Sequence, residues 1–162
     1  MKKIKFLYII ALIAMLAAFV VGCSSESADE LVTYINDTCN DLDEDYKEVY
    51  DKYVEVTKSD DNEEIVSVLE EDIIPKSQAL IEKAEEIEFN DKEIEKVHNI
   101  YIEHIKLRHS AYENVLKAVK EDNTEYIDEA NNLIADADLK IEEYDDARNK
   151  LAKELGVEIT EK

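Results

Sequence analysis

The chain has 162 residues, with 41 acidic against 19 basic side chains and a formal net charge of −22. A body this acidic is repelled by nucleic acid and anionic membrane surfaces and favours cationic or divalent partners, although acidity also simply keeps an exported protein soluble. Two glycines, one proline, no tryptophan and abundant Glu, Lys, Ala, Leu and Ile exclude a turn-rich β architecture and point to long helices with short joints.

The N-terminus sets the compartment. Lys2, Lys3 and Lys5 precede an uncharged apolar run at 6–21. Val20-Val21-Gly22-Cys23 closes that run, and the polar Ser24-Ser25-Glu26-Ser27 follows. This is the plan of a secretory signal peptide. The run is short for a membrane span, which takes about 17–25 residues. With its small residue before cysteine, Val-Val-Gly-Cys resembles the lipobox of bacterial lipoproteins, although valine three before the cysteine is less usual there than leucine. The resemblance implies cleavage after Gly22, a diacylglyceryl thioether on Cys23 and a place on the extracytoplasmic face of the cell membrane. Stable anchoring takes two acyl chains, and that lipid supplies two. The expected organisation is a signal peptide at 1–22, a flexible lipidated tether at 23–28 and a single helical domain at 29–162. Cleavage would leave 16 basic against 41 acidic residues, a net of −25. With Cys23 acylated, Cys39 has no disulfide partner. Its place in an apolar series predicts a buried, inert thiol.

Apolar steps of three and four then mark four helices. The first follows Val32, Ile35, Cys39, Leu42, Tyr46, Val49, Tyr53 and Val56. Ser59-Asp60-Asp61 offers capping oxygens for the second, which runs through Val66, Leu69, Ile73, Ser77, Leu80, Ala84 and Ile87. Pro75 inside it cannot donate to the Glu71 carbonyl, so a kink is expected there, or a break into two shorter helices. Asn90 with Glu93 reads as the N-cap of the third helix, along Ile94, Val97, Tyr101, Ile105, Arg108, Tyr112, Val115 and Val119. Asp122-Asn123-Thr124 caps the fourth, along Ile127, Ala130, Ile134, Ala137, Ile141, Tyr144, Arg148, Leu151 and Leu155, and Gly156 stops it. Helices of about 28–32 residues with joints of about 2–4 must run antiparallel, giving an all-α, up-down-up-down four-helix bundle. The near-heptad period also fits a long coiled coil, but four capped segments favour the intramolecular bundle.

Cofactor chemistry is tested next. Glu95 and His98 form a Glu-x-x-His, but a di-iron bundle needs two of these and no second copy exists. His98 and His109 return to one face about 16 Å apart, too far to share a metal. A haem motif, a phosphate-binding glycine loop, a serine nucleophile elbow and an EF-hand glycine are all missing. No metal, cofactor or catalytic residue is therefore expected. Both arginines, Arg108 and Arg148, sit on apolar seams. They either lay their stems on apolar surface and snorkel, or are buried against carboxylates. Helix levels estimated across the joints set Arg108 opposite Asp72 and Ala137, predicting a mid-bundle layer of Tyr46, Asp72, Arg108 and Tyr112 with His104 nearby. That layer either fixes helix register or binds a small anionic ligand.

The chain also resembles, loosely and over its whole length, the small helical lipoproteins common in Gram-positive genomes. This implies a location and a fold class more than an activity. The expected function is a non-catalytic interaction or adaptor module, anchored at Cys23, for an envelope protein or cationic peptide. The alternative is a ligand- or ion-binding lipoprotein using the Arg108 layer.

Overall fold

A computed structural model describes residues 24–159. The expected signal peptide at 1–22 and the expected lipidation site, Cys23, lie outside the described residues. Four long helices form an antiparallel bundle. We name them α1 (24–56), α2 (62–85), α3 (Lys92–Glu121) and α4 (Glu125–Leu155). Among the described residues there is no strand, and no helix is long and apolar enough to cross a membrane.

Capping carboxylates and amides define the joints. Asp61 accepts from the N–H groups of Glu63 and Glu64 and opens α2. Asp91 does the same for α3, accepting from Glu93 and Ile94, so the N-cap falls one residue later than Asn90. Asn123 accepts from the Glu125 N–H at the start of α4. Asp122 and Gly156 end α3 and α4 in the left-handed conformation, at φ 49° and 70°. Each passes the chain to a following N–H that returns to a carbonyl in the last turn, Asn123 to Ala118 and Val157 to Ala152.

α1 and α2 each contain one π turn, at Tyr34–Thr38 and Leu69–Ile73. A π turn inserts one extra residue and shifts the inward face by one position. In α1 the fully buried positions are therefore Leu31 and Tyr34, while the expected Ile35 packs only partly buried against the same cluster and Val32 is left 40% exposed. In α2 the Ile74 N–H bonds the Leu69 carbonyl across the second π turn, directly before Pro75. The proline then sits in the first turn of the next α-helical stretch, where its missing N–H costs least. Helical backbone continues on both sides, so α2 is not broken into two separate helices.

The stretch after Cys23, expected to be a flexible tether, is helical from Ser24. It is held at its far end. Glu30 accepts from the Asn90 and Asp91 N–H groups at 2.8 and 3.1 Å, and Leu31 is fully buried.

Buried apolar residues form two clusters. One spans Leu31, Leu42, Leu80, Ile94, Ile105 and Leu151; the other spans Val49, Leu69, Ile73, Ala111, Val115 and Ala130. Buried and half-buried polar groups lie where they meet.

Candidate functional site

At the junction, His104 of α3 is buried, and its Nδ1–H donates to the Ala137 carbonyl of α4 at 2.8 Å. Its ring packs 5.2 Å from Tyr46 of α1 and 6.2 Å from Tyr101. One turn on, Arg108 pairs with Asp138 of α4 and lies 5.7 Å over the Tyr50 ring. The guanidinium's positive charge acts on Tyr46, opposing the rise in its pKa that burial causes. Arg108 is buried along its stem, with 11% of its side chain exposed, whereas Asp138 is 58% exposed. It therefore snorkels to a surface carboxylate, combining the two arrangements expected for it. Tyr112 packs 4.6 Å from Tyr53.

Of the expected layer, Tyr46, His104, Arg108 and Tyr112 do gather at this level, and Asp72 does not. Asp72 is taken by Lys52 and Lys76. The α2–α3 joint is longer than expected, so the residue opposite this turn of α3 is Ser77, whose hydroxyl meets Nδ1 of His109 at 2.7 Å. Ser77 donates to the Ile74 carbonyl and so accepts from His109.

A second polar chain lies toward the other end of the bundle and was not anticipated. The Nε2 of His98 sits 2.8 Å from the Ala84 carbonyl at the end of α2. A carbonyl can only accept, so Nε2 carries the proton and Nδ1 accepts from the Tyr34 hydroxyl at 3.2 Å. Tyr34 in turn meets Tyr144 at 3.2 Å, and Tyr144 meets the Cys39 thiol at 3.1 Å. All four side chains are buried, and together with Ala84 they join all four helices. The sequence offered one signal for this chain, the five-residue step from Tyr34 to Cys39, which only a π turn makes inward-facing at both ends.

Burial dominates the electrostatics of both layers. It lowers the pKa of His98 and His104, with the Ala84 and Ala137 carbonyls acting against it. It raises Tyr34, Tyr101, Tyr112 and Tyr144 well above the ordinary tyrosine range, and it raises the Cys39 thiol. At neutral pH His98 and His104 are neutral, and these phenols and the thiol protonated. The Tyr101 and Tyr112 hydroxyls and the Arg108 Nε are buried without a hydrogen-bond partner. Among the described residues, no group of His, Cys, Asp and Glu has metal-binding geometry.

The outer face carries a different feature. Between α3 and α4 runs an open groove of about 520 Å3, lined by Leu107 and Leu139 together with Glu103, Asp136, Glu143, Lys106 and Lys140. Leu139 is 64% exposed, the most of the large apolar side chains left on the surface.

Compared with protein-family models, curated proteins and solved structures, the chain matches none.

Proposed function

We propose that this chain is a lipid-anchored extracytoplasmic protein whose bundle serves as a non-catalytic interaction module for an envelope protein or cationic peptide. The α3–α4 groove carries the reading. An exposed leucine over an open, partly apolar groove between two rigid helices is the form of a binding face. The basic, apolar and small-Cys pattern of residues 2–23 supports the anchor at Cys23. Burial supports a non-catalytic role, since His98, His104 and the Cys39 thiol are closed off from any substrate in solution, and burial keeps the thiol from ionising to a nucleophilic thiolate.

Photo-crosslinking of the full chain in its own envelope tests the module. A photoreactive side chain replacing Leu139 yields a discrete protein adduct, and one replacing the exposed Gln78 of α2 does not. Equal labelling from both positions, or none from Leu139, defeats the reading. Lipid labelling lost in Cys23→Ser tests the anchor separately.

A second reading has its own observation: the unpartnered Tyr112 hydroxyl and Arg108 Nε, one turn apart on α3, would suit a small anionic ligand. Arg108→Met decides between the two. As a register element only, Arg108 can be lost at a cost within about 1 kcal/mol or with a gain, because Asp138 is already solvated. Loss of an anion-induced rise in Tm would instead favour the ligand.

A further inference from the structure

From the charge around the groove, we infer that its occupant is a cationic amphipathic helix of a partner protein, laid along α4 with its apolar face on Leu107 and Leu139. This rests on the interaction-module reading and adds the partner's chemistry. Glu129, Asn132, Asp136, Leu139, Glu143 and Asp146 follow one another in steps of three and four, so they share one face of α4, and all are exposed. The stripe extends about 25 Å, with the leucine near its middle. Among the described residues, Glu129, Asp136 and Asp146 enter no ion pair. The neighbouring cations are already committed. Lys140 lies 2.9 Å from both Glu103 and Glu143, and Lys106 turns away to Glu85 of α2.

The groove thus presents two leucines beside the free carboxylate of Asp136, with Glu129 and Asp146 further along the same face of α4, and its complement is a leucine-type stripe flanked by Lys or Arg. Its lining spans 103–110 on α3 and 136–143 on α4, two turns or about 10 Å on each wall, which suits apolar anchors spaced i, i+3/i+4 and i+7 on a docked helix. A second copy fits less well, because pairing would bring together two bodies each of net charge −25 once residues 1–22 are removed, 16 basic against 41 acidic.

The test uses the full chain in phosphatidylcholine nanodiscs, with protein-free discs as blank. The probe is an 18-residue leucine–lysine peptide patterned i, i+3, i+4, i+7, and its control has the same composition with the leucines scattered. By fluorescence anisotropy, the patterned peptide saturates at one per chain and binds at least tenfold more tightly than the control. Leu139→Asp weakens it at least tenfold even though it adds a negative charge, and Asp136→Asn with Asp146→Asn weakens it several-fold and reduces its salt dependence. Equal binding of both peptides, or undiminished binding to Leu139→Asp, reduces the interaction to general charge attraction and overturns the proposal. Sedimentation showing that copies pair through Leu139 overturns it as well. A protein adduct at Leu139 without peptide binding removes this inference and leaves the module reading standing; absence of the adduct removes the module reading itself.

Discussion

His98 and His104 are each 2% exposed, and burial holds both below their ordinary pKa of 6.5. His98 faces Tyr34, Phe89 and the Ala84 carbonyl; His104 faces Tyr46 and the Ala137 carbonyl, with Arg108, Asp138 and Asp145 acting on it from further away. Neither has a carboxylate in contact to hold an imidazolium. Because the unfolded chain takes up these protons first, the stability the two residues contribute is fully present above about pH 6.5 and is lost as pH falls toward their lowered folded values. Within that window each contributes a slope of up to about 1.4 kcal/mol per pH unit. Urea unfolding from pH 7 to pH 5 is expected to show stability falling with acidity. A His98→Gln, His104→Gln double variant should be less stable at pH 7 and markedly flatter below it. An equal slope in both proteins would mean that the histidines are not the acid-sensitive groups. The Tyr34 hydroxyl is tied to the same chain, and Tyr34→Phe should cost about 1–3 kcal/mol, measured by urea unfolding, by leaving His98 Nδ1 buried without its donor.

The π turn in α1 makes a prediction about the backbone. Tyr34 and Cys39 are five apart and both face inward across it. Deleting the exposed Asn36 leaves them four apart, which a regular α-helix also brings to one face. That deletion should therefore cost little, within about 1 kcal/mol, with the 24–35 arm drawn in by about 1.5 Å. Deleting exposed Lys47 from the regular part of the helix rotates everything before it by about 100°. Leu42, Leu31 and Tyr34 would leave the core, at about 1.5–3 kcal/mol for each large apolar side chain. Circular dichroism melts of the two deletions separate the cases, and similar losses would rule out the extra-residue account of the turn. The same turn explains what could be read from the chain alone. Stripes without an insertion were legible: the expected series of α3 and α4 includes Ile94, Val97, Tyr101, Ile105, Tyr112, Val115, Ala130, Ala137, Tyr144 and Leu151, all buried. Upstream of a π turn the period carries an unseen one-residue offset, which exchanges Leu31 for Val32 and Ile65 for Val66. Joint length had the same effect on the site. Asp72 was placed beside Arg108 by counting across short joints, whereas the longer turn before Asp91 brings Ser77 to that level, and the true partner, Asp138, comes from α4.

At the scale of the whole bundle, two electrostatic effects oppose each other. Interhelical ion pairs such as Lys83–Asp45 and Lys106–Glu85 have both side chains about half-exposed. Pairs of that kind are typically worth about 0–1 kcal/mol and weaken with salt. Against them stands the mutual repulsion of an acidic excess, 41 carboxylates against the 16 basic groups that follow residue 22. At about 10 mM salt the screening length is about 30 Å, so carboxylates on all four helices repel one another; at about 150 mM it shrinks to about 8 Å and only near neighbours still interact. Local pairs survive that change better than the long-range repulsion does. Tm is therefore expected to rise by a few degrees between these two salt concentrations, and calcium should raise it further than sodium at equal ionic strength, because a divalent ion is concentrated more strongly at an acidic surface. Differential scanning calorimetry at constant pH measures both effects. A Tm that falls with added salt would mean that the ion pairs, and not the excess of negative charge, dominate the stability of the bundle.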